Sequence, residues 1–385
     1  MSPSAPDSAA LDAFDEAQLQ RALALAQRAV GLSDPNPRVG CVLHDAQGQF
    51  AGEGHTLQAG GPHAEVMALR DAAARAVPVT GGTAWVSLEP CAHHGRTPPC
   101  CDALIAAGLR RVVVALVDPF DQVSGQGIAR LRAAGMQVDV AAPQSEVARA
   151  AQDLNIGFLS RILRGRPWLR LKIAASLDGR TALADGQSQW ITGLPARTDG
   201  HAWRRRANAV MTGAGTVRQD DPRLDVRLVP SVLQPLRVVV DSGLRLSRQA
   251  QILRPPGRVL VVGANADQPS QMALRDSGAE VLMLPGADGR VDLNALVKRL
   301  ASQGVNELHV EAGAELNGAL LKAGLVDELL VYLAPRLVGP GRDMATLAPL
   351  AHLSTAQSLR FVDMRGVGDD VLIRARITGS DDFLG

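Results

Sequence analysis

The sequence predicts two α/β domains in tandem, each a mainly parallel or mixed sheet covered by helices. Three observations predict this. The chain has 385 residues, more than one hydrophobic core usually organises. Strand-like apolar runs alternate with helix-spaced apolar patterns along the first half, as βαβ units require. The alternation then begins afresh at Trp168, after a stretch at Arg164–Pro167 that reads as a hinge.

In the first half, Glu16–Val30 carries apolar residues at helical spacing, and Val39–Leu43 reads as a strand that turns at Ala46–Gly48 into a second one. Helix follows at Ala64–Ala76, strand at Thr83–Leu88, and helix at Cys101–Ala107 up to Gly108. Arg111–Val117 is a continuous apolar run typical of a buried strand, and a further helix and strand reach Val140. A long helical pattern, Ser145 to Leu163, closes this half. In the second half, strands are expected at Trp168–Ala174, Ala209–Thr212, Leu236–Asp241, Arg258–Val262, Glu280–Leu284, Glu307–Glu311, Glu328–Leu333 and Val371–Ile377. Helices are expected at Pro195–Asn208, Leu293–Gln303 and Leu316–Ala323. The expected division is a disordered Ala/Ser/Pro-rich extension over 1–15, then domains over 16–163 and 167–380.

Bulk composition narrows the partners. With 46% hydrophobic and 21% charged residues the chain is ordinary for a globular protein. A net charge of +1 argues against a broad nucleic-acid or anionic-membrane surface, so a phosphate ligand belongs in a local pocket. No stretch approaches the ~20 apolar residues that span a bilayer. The N-terminus lacks the basic start and apolar core of a secretory signal, which makes the cytoplasm the expected compartment. All four cysteines, Cys41, Cys91, Cys100 and Cys101, lie in the first 101 positions. Cysteines clustered near histidines suggest a metal more than a disulfide scaffold.

The metal reading rests on two segments. GGPHAEVMALR places His63 at a helix start with Glu65 two residues on, and a strand ending in Pro90–Cys91 is followed after eight residues by Cys100 at another helix start. One imidazole and two thiolates give zinc three ligands and leave a tetrahedral position for a water of lowered pKa. Glu65 is spaced to reach that water rather than the metal, and to carry its proton to a departing amine. H-A-E with P-C is the zinc-deaminase signature, except that the second cysteine stands at P-C-x₈-C instead of P-C-x-x-C. The alternative is a structural zinc site closed by Cys101, His93 or His94, which leaves Glu65 without a role. The inserted loop AHHGRTPP brings His94, Arg96 and Thr97 beside the metal and suits an anion, or is a Pro-stiffened solvated loop. Asn36, between two prolines, either presents an amide to a heterocycle edge or is a turn residue.

NPRVG, GEGHTLQAGGPHAEVMAL and SLEPCAHHGRTPPCCDALIAAG resemble the deaminase half of the bifunctional riboflavin-biosynthesis deaminase–reductases. The resemblance implies a cytidine-deaminase-like three-layer α/β domain acting on a diaminopyrimidinone ribosyl 5′-phosphate. It implies His63, Cys91 and Cys100 as zinc ligands, Glu65 as proton shuttle, and substrate contacts at Asn36, His55, His94, Arg96 and Thr97.

The second half has no G-x-G-x-x-G between a strand and a helix, so an ordinary Rossmann site is unsupported. Its best phosphate cradle is EAGAELNGALL, where a strand ends at Glu311, Gly313 permits a tight turn and a helix begins. A plain strand-to-helix turn looks the same. TGAGTVRQDDPRL is a second Gly-bearing loop, or a turn with Asp capping. Lysine occurs only at 172, 298 and 322; Lys298 and Lys322 fall in helix patterns as surface residues, whereas Lys172 sits in an apolar strand. A cation there needs a partner, for which Asp178 is a candidate, or contacts a substrate oxygen; the alternative is an outward-facing strand lysine.

KIAASLDGRTA, SQWIT, TGAGTVRQDDPRLDVR, VVVDS and VEAGAELNGALL resemble the reductase half of the same family, a dihydrofolate-reductase-like α/β fold. The resemblance implies NADPH contacts at Ala174, Trp190, Thr216, Asp220, Ser242, Gly313, Ala314, Glu315, Leu316, Asn317, Gly318 and Ala319. It implies substrate contacts at Ser188, Arg204, Leu224, Arg227 and Glu311, with Arg204 and Arg227 as clamps for the 5′-phosphate. The implied partners are a pyrimidine ribonucleotide and further copies of the chain as a dimer or tetramer, with no nucleic acid and no membrane. Rival readings are a free cytidine, cytosine or guanine deaminase with an unrelated second domain, a tRNA-editing deaminase, and a non-enzymatic zinc module.

Overall fold

The computed structural model describes residues 11–92, 98–119 and 124–384. It divides into two compact units, Met1–Arg164 and Gly165–Gly385.

The first unit runs α1 (Ala13–Ala26), β1 (Gly40–His44), β2 (Phe50–His55), α2 (Ala64–Ala74), β3 (Thr83–Val86), α3 (Cys100–Ala106), β4 (Arg111–Val114), α4 (Gln126–Ala133), β5 (Gln137–Val140), α5 (Glu146–Leu154) and α6 (Ile156–Arg164). The sheet order is β2-β1-β3-β4-β5, with β1 antiparallel to β2 and β3 and the remaining pairs parallel. Side chains alternate across the sheet. Val112 and Val114 pack with Ala64, Ala68, Leu104 and Ile128 from α2, α3 and α4. Val113 and Trp85 pack with Leu19, Leu23, Val147 and Ala151 from α1 and α5. The unit is therefore three layers, helix–sheet–helix, which explains why β4 reads as an unbroken apolar run. Two glycines of β2 fix α2 against the sheet: a Cβ on Gly54 would lie 2.5 Å from the Ala68 nitrogen, and one on Gly52 would lie 2.6 Å from the Ala68 oxygen.

The strands expected at Thr83–Leu88 and Arg111–Val117 stop at Val86 and Val114, and two further departures have a visible partner. Helix α1 starts three residues early because Asp12 caps it, its carboxylate accepting from the Asp15 N–H at 2.7 Å. Buried Asp15 then pairs with Arg111 and accepts from the Trp85 indole, so residues 11–15 belong to the fold rather than to a disordered extension. The expected helix over Ser145–Leu163 is broken at Asn155. Its amide accepts from the Arg38 N–H at 2.8 Å and donates to the Arg38 carbonyl at 3.0 Å, which stops α5 and starts α6.

The second unit runs β6 (Trp168–Ser176), β7 (Arg180–Leu183), α7 (Leu194–Arg206), β8 (Ala209–Gly213), α8 (Ala214–Asp220), β9 (Leu236–Val240), β10 (Val259–Gly263), α9 (Gln268–Asp276), β11 (Glu280–Met283), α10 (Leu293–Ser302), β12 (Glu307–Val310), α11 (Ala314–Lys322), β13 (Glu328–Ala334), β14 (Gly341–Asp343), β15 (Leu359–Val367) and β16 (Asp370–Ile377). The nine-stranded sheet is ordered β11-β10-β9-β8-β12-β6-β13-β16-β15. It is parallel from β11 to β13 and antiparallel through β16 and β15. Elements β7, α8, α9, β14 and β15 are absent from the sequence reading; α8 is a seven-residue helix behind Gly213, with no side-chain cap where an Asp cap was one reading.

Candidate metal centre and nucleotide cavity

His63 is the residue before the first turn of α2, in extended backbone (φ −80°, ψ 171°), so its imidazole stands at the helix mouth and Glu65 lies in the first turn. Cys91 follows the end of β3, and Cys100 opens α3 behind Pro99. The His63 Nδ1 lies 3.3 Å from Cys100 Sγ and 3.7 Å from Cys91 Sγ, and the three ligand atoms are within 4.8 Å of one another. The Cys100 N–H donates to Cys91 Sγ at 3.3 Å. Hydrogen bonds from the Cys100 thiol first, and from His63, pull the Cys91 thiol down to about 4. The shared proton keeps Cys100 raised, and the Cys91 hydrogen bond raises His63. One anionic thiol, a second thiol and an imidazole form a donor set that fits zinc.

Glu65 is buried at 3% exposure and exchanges a hydrogen bond with Cys100. Burial first, and then the charge on Cys91, pushes its carboxyl up to about 7. That is the range in which a carboxyl both accepts and returns a proton at neutral pH. Cys101 is turned away, its thiol donating to the Pro90 carbonyl at 3.2 Å, and Cys41 is buried in β1. Cys101 therefore does not close a structural zinc shell; His93 and His94 lie outside the described residues.

Glu89 is a residue the sequence reading passed over. Buried, it accepts backbone N–H bonds from Asp118, Gly125, Gly127 and Ile128, at 2.9 to 3.2 Å. It ties the chain just before Cys91 to the start of α4. An acid at the end of an apolar strand was the available signal.

Among the expected substrate contacts, Asn36 is half-buried in a turn closed by the Asn36 N–H to the Ser33 carbonyl at 3.0 Å. His55 ends β2, and burial with the charge of Arg28 lowers its pKa. His94, Arg96 and Thr97 lie outside the described residues.

In the second unit a cavity of about 1980 Å³ runs along the carboxyl ends of the parallel strands, where open α/β sheets bind ligands. It is lined by Ala174, Trp190, Thr216, Asp220, Ser242, Gly313, Ala314, Glu315, Leu316, Gly318 and Ala319, and by Lys172, Ser188, Arg204, Leu224, Arg227 and Glu311. Asn317 is the exception: it is buried, and its amide donates to the Met344 carbonyl at 2.7 Å. Two further expectations are corrected. The helix begins at Ala314 rather than Leu316, with Gly313 before it in extended backbone (φ −81°, ψ 173°). Asp178 does not meet Lys172; it accepts from the N–H groups of Val338 and Gly339, while Lys172 Nζ lies 3.6 Å from Glu311.

Arg204 is less available for a phosphate than expected. It makes a two-pronged pair with Glu311 and donates to the Asp225 carbonyl at 3.1 Å. Burial alone would raise the Glu311 carboxyl, yet Arg204 and Lys172 hold it well below its usual range. Arg227 is more exposed and pairs with Asp225. His201 and Asp225 complete this corner and were not singled out in the sequence. The signals were there: His201 stands one helical turn before Arg204, and Arg223 and Arg227 flank Asp225 two residues to either side. The Arg227 N–H donates to His201 Nδ1 at 3.1 Å, and burial, then the charges of Arg204 and Arg227, lowers His201 to about 4.

Residues 12–116 match the family described as the cytidine and deoxycytidylate deaminase zinc-binding region, and residues 167–373 match the RibD C-terminal domain. Riboflavin biosynthesis protein RibD of Escherichia coli (strain K12) is 45% identical over 372 residues, covering 93% of this chain and 98% of its own. This chain belongs to the RibD family. The RibD of Aquifex aeolicus is 38% identical, covering 94% of this chain and 98% of its own. Acinetobacter baumannii RibD superposes with a TM-score of 0.85 at 40% identity, over 94% of this chain and 99% of that structure. A Thermotoga maritima structure, described as a diaminohydroxyphosphoribosylaminopyrimidine deaminase/5-amino-6-(5-phosphoribosylamino)uracil reductase, superposes with a TM-score of 0.83 at 29% identity, over 94% and 99%. Like other RibD proteins, this one is a bifunctional riboflavin-biosynthesis enzyme, with a zinc-dependent cytidine-deaminase-like domain and an NADPH-dependent dihydrofolate-reductase-like domain. The RibD C-terminal match removes the readings with an unrelated or RNA-binding second domain.

Proposed function

We propose that the chain deaminates 2,5-diamino-6-(5-phosphoribosylamino)pyrimidin-4(3H)-one to 5-amino-6-(5-phosphoribosylamino)uracil, in a domain that runs from the Asp12 cap of α1 to residue 163. A reductase domain of residues 167–380 then reduces the ribosyl group to ribityl. The observation that carries the first step is Glu65, buried against Cys100 within the His63–Cys91–Cys100 cluster.

Zinc supplies an activated water when bound. Glu65 would carry the two protons of the attacking water in turn, the first to the ring nitrogen and the second to the amine that leaves as ammonia, and its raised carboxyl suits both tasks. Asn36 and His55, with His94, Arg96 and Thr97, hold the pyrimidine and its phosphate in this reading. In the second domain NADPH supplies the hydride to C1′ of the opened ribose. Ala174, Trp190, Thr216, Asp220, Ser242 and the start of α11 at Gly313–Ala319 hold the cofactor, apart from the side chain of Asn317. Lys172 and Glu311 orient the ribosyl group, aided by Ser188 and Leu224. Arg227 meets the 5′-phosphate, and Arg204 holds Glu311.

Further copies of the chain are the natural partners. Edge strand β15 exposes Leu359, Phe361 and Met364, an apolar row that a second copy would cover. Among the described residues no helix is long and apolar enough to cross a membrane, and the cytoplasm is the proposed location.

Incubation with the diaminopyrimidine nucleotide tests the sequence of steps. Ammonia should appear without NADPH, and NADPH oxidation should require the deaminated product. Oxidation of NADPH before any ammonia release would reverse the proposed order.

A further inference from the structure

We infer that Arg245, beside Ser242, reads the 2′-phosphate of NADPH and so sets the preference for NADPH over NADH. The inference rests on the cofactor cavity proposed above and names the part of it that separates the two dinucleotides.

Lys172, from β6, and Glu311, just after β12, mark the reacting end of the cavity, and α11 begins directly behind Glu311. In the sheet, β8 and then β9 lie beyond β12, on the side away from β6. Neighbouring strands are about 4.8 Å apart, so β9 stands roughly 10 Å from β12. A dinucleotide with its nicotinamide near Lys172 and its diphosphate at the start of α11 thus brings its adenosine ribose to the end of β9. Ser242 and Arg245 line the cavity there.

The turn after β9 then aims Arg245. The Leu244 N–H donates to the Asp241 carbonyl at 2.9 Å, and Leu244, with φ 49°, buries its side chain against Gly263 of β10. That left-handed residue doubles the chain back. Arg245 folds over Gly243, and a Cβ on Gly243 would lie 3.1 Å from Arg245 Nε. The guanidinium is therefore seated on bare backbone one residue from Ser242.

Lys172 and Arg204 are paired with Glu311, Arg223 and Arg227 with Asp225, and Arg197 lies over the Trp190 ring; Arg218, Arg290, Lys322 and Arg342 line the cavity without an ion pair among the described residues, but none of them comes from the turn at the end of β9. Among the described residues Arg245 has no ion pair and no side-chain hydrogen bond. A planar fork with no carboxylate at ion-pair distance suits a phosphate dianion.

Dissociation constants for NADPH, NADH, adenosine 2′,5′-bisphosphate and 5′-AMP, measured on the full chain by calorimetry, test the assignment. Arg245→Ala should weaken NADPH and the bisphosphate about tenfold or more, the range of one lost charge-assisted hydrogen bond. NADH and 5′-AMP should stay within about twofold, since neither presents a 2′-phosphate, and their retained binding reports an intact cavity. Arg245→Lys should fall between, keeping the charge and losing the fork. NADPH binding unchanged in Arg245→Ala, or NADPH and NADH weakened equally, overturns the role of Arg245 and leaves the cavity standing. An unsubstituted chain that binds neither dinucleotide overturns the cavity reading along with it.

Discussion

Arg204 and Glu311 form a two-pronged ion pair inside the reductase cavity, with Arg204 Nη2 donating to Glu311 Oε2 at 3.0 Å. The arginine comes from α7 and the glutamate from the end of β12, so the pair joins a helix to a strand end that lines the cavity. Lys172, from the adjacent β6, adds a second cation to the same carboxylate. Glu311→Ala leaves Arg204 largely buried without its partner. The expected loss is roughly 3 kcal/mol, as for other buried pairs broken on one side. Denaturant unfolding of the variant measures it, and a loss below about 1 kcal/mol would place the pair with ordinary surface salt bridges.

His201 makes the reductase unit sensitive to mild acid. In the folded chain its pKa is lowered to about 4 by burial and by Arg204 and Arg227, against about 6.5 for a free histidine. Between those values the unfolded chain binds the proton and the folded chain does not. Stability is therefore unaffected by this group above about pH 6.5 and falls as pH drops from there toward 4. The geometry gives the same sign, because a proton on Nδ1 would face the Arg227 N–H that now donates to it. His201→Asn should flatten the stability–pH curve in this window. An unchanged slope would show that His201 is solvated.

At the metal centre, Glu65→Gln should retain zinc, because the donor set that fits the metal is His63, Cys91 and Cys100 and leaves Glu65 out. It should lower ammonia release by about a hundredfold or more, the usual contribution of a positioned proton carrier. Zinc content together with the deamination rate measures both. A variant that keeps zinc and deaminates at the original rate removes Glu65 from the chemistry.

Much of this centre is legible in the sequence because its residues come in short fixed blocks. His63 and Glu65 share one helix start, and Cys91 and Cys100 flank one loop. Most strand and helix positions are legible for a similar reason, since periodicity is local. What was missed depends on partners far along the chain. The early start of α1 needs Asp15 to meet Arg111, and the break at Asn155 needs the backbone of Arg38. Lys172 was visible as an anomaly, but its partner follows from β6 lying beside β12 in the sheet, which spacing does not report. Edge strand β15 was missed because it is exposed on most of its length, and Val362 breaks the alternation of Leu359, Phe361 and Met364 with Arg360, Asp363 and Arg365 where the register shifts.

The central claim is two separate activities on one chain, each with its own site. Cys100→Ser tests it most directly, with zinc content, ammonia release and NADPH oxidation measured on the same preparation. Removal of one soft ligand of three should empty the metal centre and abolish deamination. NADPH oxidation on supplied 5-amino-6-(5-phosphoribosylamino)uracil should persist at the rate of the unsubstituted chain. Loss of both activities in a protein that remains folded would contradict the account.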